Sequence, residues 1–199
     1  MAVDARRGNI RRGTYNVSGA TLALINRAIE RSGPRDPNDG RRYSGVCICT
    51  YRVVVSGRDW AFETESSGPP VRVRCTLGNG SVVADCRIQT PRLTSRLTGD
   101  DAAEWTRFQA SVVDHENGHI DEYMVEGRAI AAEINSLSAT GEGRNEREAQ
   151  RAAQQQLAQL IQRNVGARLA ARANAAAGRY DGRNQHGRSQ GAVLRFTIR

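Results

Sequence analysis

The chain changes its hydrophobic period near residue 98, and that change limits its architecture more than any other feature. Between Tyr43 and Gln89 the apolar residues fall in short runs rich in β-branched and aromatic side chains, separated by Gly, Pro and Asn. From Thr98 onward they recur at helical spacing instead. Strands gathered in one stretch and helices in the next specify an α+β fold rather than an alternating α/β one.

The local signals place the elements. Residues 1–13, rich in Arg and Gly, read as a flexible basic arm, and 14–199 as a single domain. Thr14–Val17 is a short strand. Ser18 is a candidate N-cap for a helix carrying Leu22, Ile25 and Ile29 on one face and stopped by Ser32-Gly33-Pro34. Strands are expected over 43–56 and 60–65. A hairpin is expected from Val71–Leu77 and Ser81–Gln89 about Gly78-Asn79-Gly80, with Pro91 ending the sheet. A long helix opens near Thr98, where Asp100, Asp101 and Glu104 suit its positive end, and fades before Gly141. Its inward stripe carries Trp105, Phe108, Val112, His115, His119, Ile130, Ile134 and Leu137. A second long helix, rich in Ala and Gln, runs over 145–177 with Ala153, Leu157, Leu160 and Leu169 inward, and Gly178 ends it. Ala192–Ile198 alternates like a final strand.

Composition narrows the function classes. The chain has 199 residues and a formal charge of +8, and all 29 basic residues are Arg. Eight acids and one Arg lie between Asp100 and Glu126, whereas eight Arg and one acid lie between Arg163 and Arg199. Segments of opposite charge are expected to pack on each other. Nucleic-acid binding is the less favoured reading, because the basic stretches lack interleaved aromatics. No run approaches the ~18 apolar residues of a membrane span. Met1-Ala-Val-Asp-Ala-Arg-Arg has no apolar core of a signal peptide. Cys47, Cys49, Cys75 and Cys86 leave two readings open, two disulfides or buried free thiols. Cys47 and Cys49 project from one strand face toward its neighbours.

The chemistry sits on the long helix. His115-Glu116-Asn117-Gly118-His119 is a His-Glu-x-x-His pattern. Four residues of helix bring the two imidazoles onto one face, about 6 Å apart at Cβ, so both can reach one Zn2+. Glu116 lies about 100° round the helix, placed to activate a zinc-bound water without itself binding the ion. Gly118 costs about 1 kcal/mol relative to Ala in a helix interior, which is reasonable if another group must approach closely there. A catalytic zinc needs a third protein ligand. The residues leave Glu133, Glu142, Glu146 and His186 as candidates, His186 requiring that the second helix return over the first.

On three motifs the chain resembles a bacterial family of uncharacterised proteins described as predicted secreted zinc-dependent proteases. These are Tyr15-Asn16-Val17-Ser18-Gly19; Trp105-x-x-Phe108 leading into His115-Glu116-x-Gly118-His119; and Tyr180-Asp181…His186-Gly187. Asn184 stands where the family usually has threonine, and Thr90-Pro91 where it has Leu-Pro. The resemblance implies His186 as third zinc ligand and a secreted or periplasmic location, while the lack of an apolar signal core leaves a cytoplasmic or particle-associated location as the alternative. On the same motif Tyr180 is a candidate to donate its hydroxyl to a tetrahedral oxyanion, or else a loop anchor. Asp181 would orient a ligand histidine or cap its loop.

The expectation is therefore a zincin-like α+β domain, a mostly antiparallel sheet packed on a long active-site helix and a second long helix. It would be a zinc-dependent metallopeptidase acting on a protein or peptide substrate. The rival is a non-enzymatic component of a larger assembly that keeps zinc for stability.

Overall fold

A computed structural model describes residues 2–196. Its elements run β1 (Asp4–Val17), α1 (Leu22–Ser32), β2 (Val46–Val54), β3 (Trp60–Ser66), β4 (Val71–Leu77), β5 (Ser81–Leu93), α2 (Gly99–Asn135), β6 (Ser138–Gly143), α3 (Glu146–Asn164) and α4 (Leu169–Asn184). The fold is α+β, with two three-stranded sheets ordered β1-β5-β2 and β3-β4-β6. The expected single domain is built as two compact units: Met1–Gly8, Thr50–Ala84 and Met124–Ala173 form the first, and Asn9–Cys49, Asp85–Tyr123 and Asn174–Arg199 the second.

In the first unit β4 is the central strand of an antiparallel sheet, facing β3 with Cys75 opposite Phe62 and β6 with Cys75 opposite Ala139. Both edges of β4 are thus occupied, so the expected β4–β5 hairpin does not form and β5 joins the other sheet. The Asp59 carbonyl accepts from the amides of Gly78 and Asn79, turning the chain away at that point. The helix α3 packs on β6 and β4. The β6 segment, Ser138–Gly143, carries no strand pattern of its own. Its Gly141 and Gly143 are required because any Cβ there would overlap the α3 backbone at Ala149 and Ala153. Asn145 caps α3, its side chain accepting from the Glu148 amide at 3.0 Å. The buried face is Ala149, Ala153, Leu157 and Ile161. The continuous helix expected over 145–177 is instead broken at Val165, followed by a 3-10 turn over Gly166–Arg168, before α4 begins. Val165 is β-branched and fully buried, and Gly166 is a poor helix former. Arg172 bridges Glu126 at 2.6 Å and Glu133 at 2.5 Å, as the opposed charges of the two segments lead one to expect.

In the second unit the core gathers Leu22, Ile25 and Ile29 of α1 with Trp105, Phe108 and Val112 of α2, closed by Val17, Ala192 and Leu194. The N-cap of α1 is Thr21, not Ser18. Arg179 and Arg183 of α4 bond to Glu122 of α2 at 3.3 Å and 2.5 Å, so these basic side chains are already committed.

The expected arm over 1–13 is a strand from Asp4, continuous with the strand expected at 14–17. Its partners rise in step with β5. The Asp4 amide bonds to Gly80, the Asn9 amide to Asp85, and the Val17 carbonyl accepts from Thr94, so the pair runs parallel. The β1-β5-β2 sheet therefore contains a parallel pair, whereas β3-β4-β6 is antiparallel throughout. Pro91 does not end β5; it lies buried within it. Cys49 of β2 is disulfide-bonded to Cys86 of β5, while Cys47 and Cys75 are buried free thiols. Residues 192–196 have no strand, and Thr197 and Ile198 of the expected final strand lie outside the described residues. No helix among the described residues is long and apolar enough to cross a membrane.

Candidate metal centre

The apolar stripe that packs Phe108 and Val112 into the core continues along α2 as His115 and His119, one turn apart. Both rings are buried, at 5% and 4% exposure, as are Glu116 at 2% and Asp181 at 5%. Four ionisable groups this deeply buried need strong partners.

The two imidazoles are directed at one atom. Their Nε2 atoms lie 3.2 Å (His115) and 3.1 Å (His119) from Asp181 Oδ1, and their ring centroids are 4.9 Å apart. Asp181 reaches them because α4 continues through Gly178 and Gly182 to Asn184, so Tyr180 and Asp181 sit on a helix rather than in the expected loop. His115 Nδ1 meets Gln190 Oε1 at 2.7 Å, while Gln190 Nε2 donates to the Tyr180 hydroxyl at 3.0 Å. With Nδ1–H donating to Gln190, the His115 Nε2 lone pair points at a carboxylate oxygen. Two electron-rich atoms face each other stably only with a proton or a cation between them. Two further buried atoms, His119 Nδ1 and Glu116 Oε2, have no hydrogen-bond partner among the described residues. His115, His119 and Asp181 can each offer one ligand atom, all within 4.8 Å of one another. This donor set of two imidazoles and a carboxylate suits Zn2+.

The electrostatics agree. Burial alone would lower the His115 pKa, but hydrogen bonding to Asp181 and Gln190 holds it above the usual histidine value. Burial pushes Asp181 upward, yet the bonds from His115 and His119 outweigh it and keep the carboxyl well below the usual range. Burial pushes Glu116 up to about 8, against the pull of His115 and with help from Asp181 and Asp36. Glu116 fits because residue 45 is glycine: a Cβ there would overlap Glu116 Oε1 and crowd Val112.

His186 is placed differently from His115 and His119. Its Nδ1 is 3.5 Å from Asp181 Oδ1, and its side chain is 39% exposed. It groups within ligand distance of Asp181 and Asp36, not of both helical histidines. Its ring stacks on Tyr43 at 4.3 Å between centroids, and Tyr43 Oη donates to Asp39 at 2.5 Å. Gln185, His186 and Gly187 all have positive φ, of 51°, 51° and 80°. Two successive non-glycine residues there cost on the order of 1–2 kcal/mol each, so the turn is held by its surroundings. The His186 amide donates to the Asp181 carbonyl, and Ser189 donates to the Asn184 carbonyl. Asn184 itself bonds the Tyr180 carbonyl at 3.0 Å.

Tyr180 lies against both histidine rings, 5.2 Å and 4.7 Å between centroids. It explains Gly118: a Cβ at that position would overlap the Tyr180 hydroxyl and ring. Gly118→Ala is therefore expected to destabilise the protein by about 1–3 kcal/mol through overpacking, despite alanine's better helix propensity. In a Tyr180→Ala background the same substitution should become neutral or stabilising. Denaturation midpoints of the four proteins measure this, and equal effects in both backgrounds would refute the packing explanation.

Sequence reasoning found His115, Glu116 and His119 from spacing alone. It named Asp181 but not its direct approach to both rings. Gln190, Gly45 and Tyr43 carried no recognisable signal.

A family model described as "Bacterial protein of unknown function (DUF922)" matches residues 13–187. No curated protein and no solved structure matches the chain.

Proposed function

We propose that this chain, which belongs to the bacterial family of unknown function DUF922, is a zinc-dependent metallopeptidase hydrolysing peptide bonds. His115, His119 and Asp181 would hold the ion, with His186 on the rim. The observation that carries the reading is the convergence of two buried imidazole nitrogens on one carboxylate oxygen, beside a buried glutamate with an unpartnered oxygen. Zinc in such a donor set supplies Lewis acidity toward a peptide carbonyl and a water molecule. Glu116, seated against Gly45, keeps Oε2 free to take a proton from water and return it to the leaving amine. Tyr180 accepts from Gln190, which leaves its own hydroxyl proton available to a developing oxyanion. The Cys49–Cys86 disulfide supports the secreted or periplasmic location that the motifs imply, because such bonds persist in oxidising compartments. The reading is tested by unfolding-free chelation: peptide cleavage should stop and return with added Zn2+, and cleavage indifferent to chelator would overturn it.

The metal-free cluster should leave a pH signature. His115 is raised, so its contribution to stability is present at low pH and lost as pH rises through its folded value; Asp181 is lowered, so its contribution is present above the ordinary carboxyl range and lost in acid. Zinc binding must displace the imidazole proton. Its affinity should climb, with proton release, as pH rises through the raised His115 value. Calorimetric titration in buffers of different ionisation heat reads that release. Pure zinc uptake with no proton released would contradict the assignment of His115 as a ligand.

A further inference from the structure

We propose that the groove opening beside the Glu116 cavity binds acidic peptide segments, with Arg41 and Arg188 receiving substrate carboxylates next to the scissile bond. The proposal deepens the peptidase reading above and rests on it for the position of that bond. The Glu116 cavity and the groove share Tyr43, Ser44, His186 and Ala192 as common walls, so a chain seated at Glu116 continues directly into the groove. Along its length the groove has an apolar floor of Ile29, Phe108 and Leu194, which are also core residues and therefore rigid.

Its charge is one-sided. Arg41, Arg42 and Arg188 line it against a single carboxylate, Glu30. Glu30 accepts from Asn26 at 2.7 Å, and Arg42 donates to the Gly33 carbonyl at 2.5 Å. Asp39, the other acid near Arg41, is taken by the Tyr43 hydroxyl and the Arg41 backbone amide. Among the described residues neither the Arg41 nor the Arg188 guanidinium makes a direct hydrogen bond or ion pair, and Arg41 acts on Asp39 only through its field. Four arginines between residues 163 and 184 offer a contrast: Arg168, Arg172, Arg179 and Arg183 are all bonded to glutamates. Two uncommitted guanidiniums over an apolar trough attract anions and present paired donors suited to carboxylates. An extended peptide with aliphatic and acidic side chains matches both the floor and the rim.

The test uses the zinc-loaded full chain carrying Glu116→Gln, so that binding is read without cleavage. Fluorescence anisotropy compares a labelled peptide rich in Asp and Glu with its Asn/Gln counterpart. The acidic peptide should bind about tenfold more tightly, as two exposed ion pairs would give. Arg41→Glu/Arg188→Glu should erase the preference, and Arg41→Gln/Arg188→Gln should reduce it; both sites are exposed, so folding is not at stake. Equal binding of the two peptides, a preference that survives both double variants, or tighter groove binding of a single-stranded oligonucleotide of equal charge would overturn the proposal. Cleavage by the wild-type chain is scored separately. Acidic preference without any cleavage would sink the peptidase reading alone, and cleavage without acidic preference would sink this proposal alone.

Discussion

Glu116→Gln is expected to lower peptidase turnover by about 10²–10⁴-fold, the usual contribution of a positioned general base, while bound zinc stays at the wild-type level. The two readouts separate because Glu116 is not in the group of mutually close ligand atoms, and its Oε2 has no partner to lose. Glutamine keeps the shape that the Gly45 backbone accommodates, removes the capacity to accept a proton and puts an amide group in place of the carboxyl. Stability should not fall, since the substitution relieves a carboxylate that burial disfavours. His115→Ala should behave oppositely, losing zinc and activity together. Wild-type turnover in a zinc-loaded Glu116→Gln protein would remove Glu116 from the reaction.

Breaking the Cys49–Cys86 disulfide is expected to cost about 4 kcal/mol by loop-closure entropy for its separation of 37 residues. The double variant Cys49→Ser/Cys86→Ser, compared with the oxidised wild type by chemical denaturation, measures the difference. Reductant should bring the wild-type midpoint down toward that of the variant. Cys47 and Cys75 should remain unreactive toward thiol reagents in the folded protein, since burial pushes the Cys75 thiol up to about 11 and the Cys47 thiol higher still. A loss under about 1 kcal/mol would show that the reduced chain already keeps the two strands paired.

The parts of the fold that were legible are those whose stability comes from their own side-chain pattern. The strand expected over 60–65 is β3 at Trp60–Ser66, the one at Val71–Leu77 is β4, and the helix opening near Thr98 is α2 from Gly99. The illegible parts depend on a partner. Asp4–Gly13 is Arg- and Gly-rich and looks unstructured by propensity, yet it forms a strand alongside β5. Ser138–Gly143 has almost no β-forming side chains, and its glycines serve the close approach of α3 instead. A turn signal at Gly78-Asn79-Gly80 was real, but local chemistry does not say which sheet the next strand enters.

The site divides in the same way. His115, Glu116 and His119 are related by helix geometry, which sequence spacing encodes directly. Asp181 and His186 depend on where α4 stops. Gly178 suggested a helix end, but α4 runs through it and through Gly182, because Ala173, Ala176, Ala177 and Asp181 are buried along it. That carries Asp181, not His186, onto the two imidazoles, and leaves His186 in the left-handed turn beyond. Gly118 was noticed as costly in a helix, and its cause, the Tyr180 ring, needed the structure.

X-ray absorption at the zinc edge of the zinc-loaded full chain tests the centre most directly. The expected result is one zinc per chain with a shell of nitrogen and oxygen at about 2.0–2.2 Å and imidazole scattering, with no zinc retained by His115→Ala/His119→Ala. No stoichiometric zinc would contradict it. So would a sulfur shell at about 2.3 Å, which would place the ion on Cys47, Cys49 and Cys86 with the Cys49–Cys86 bond reduced.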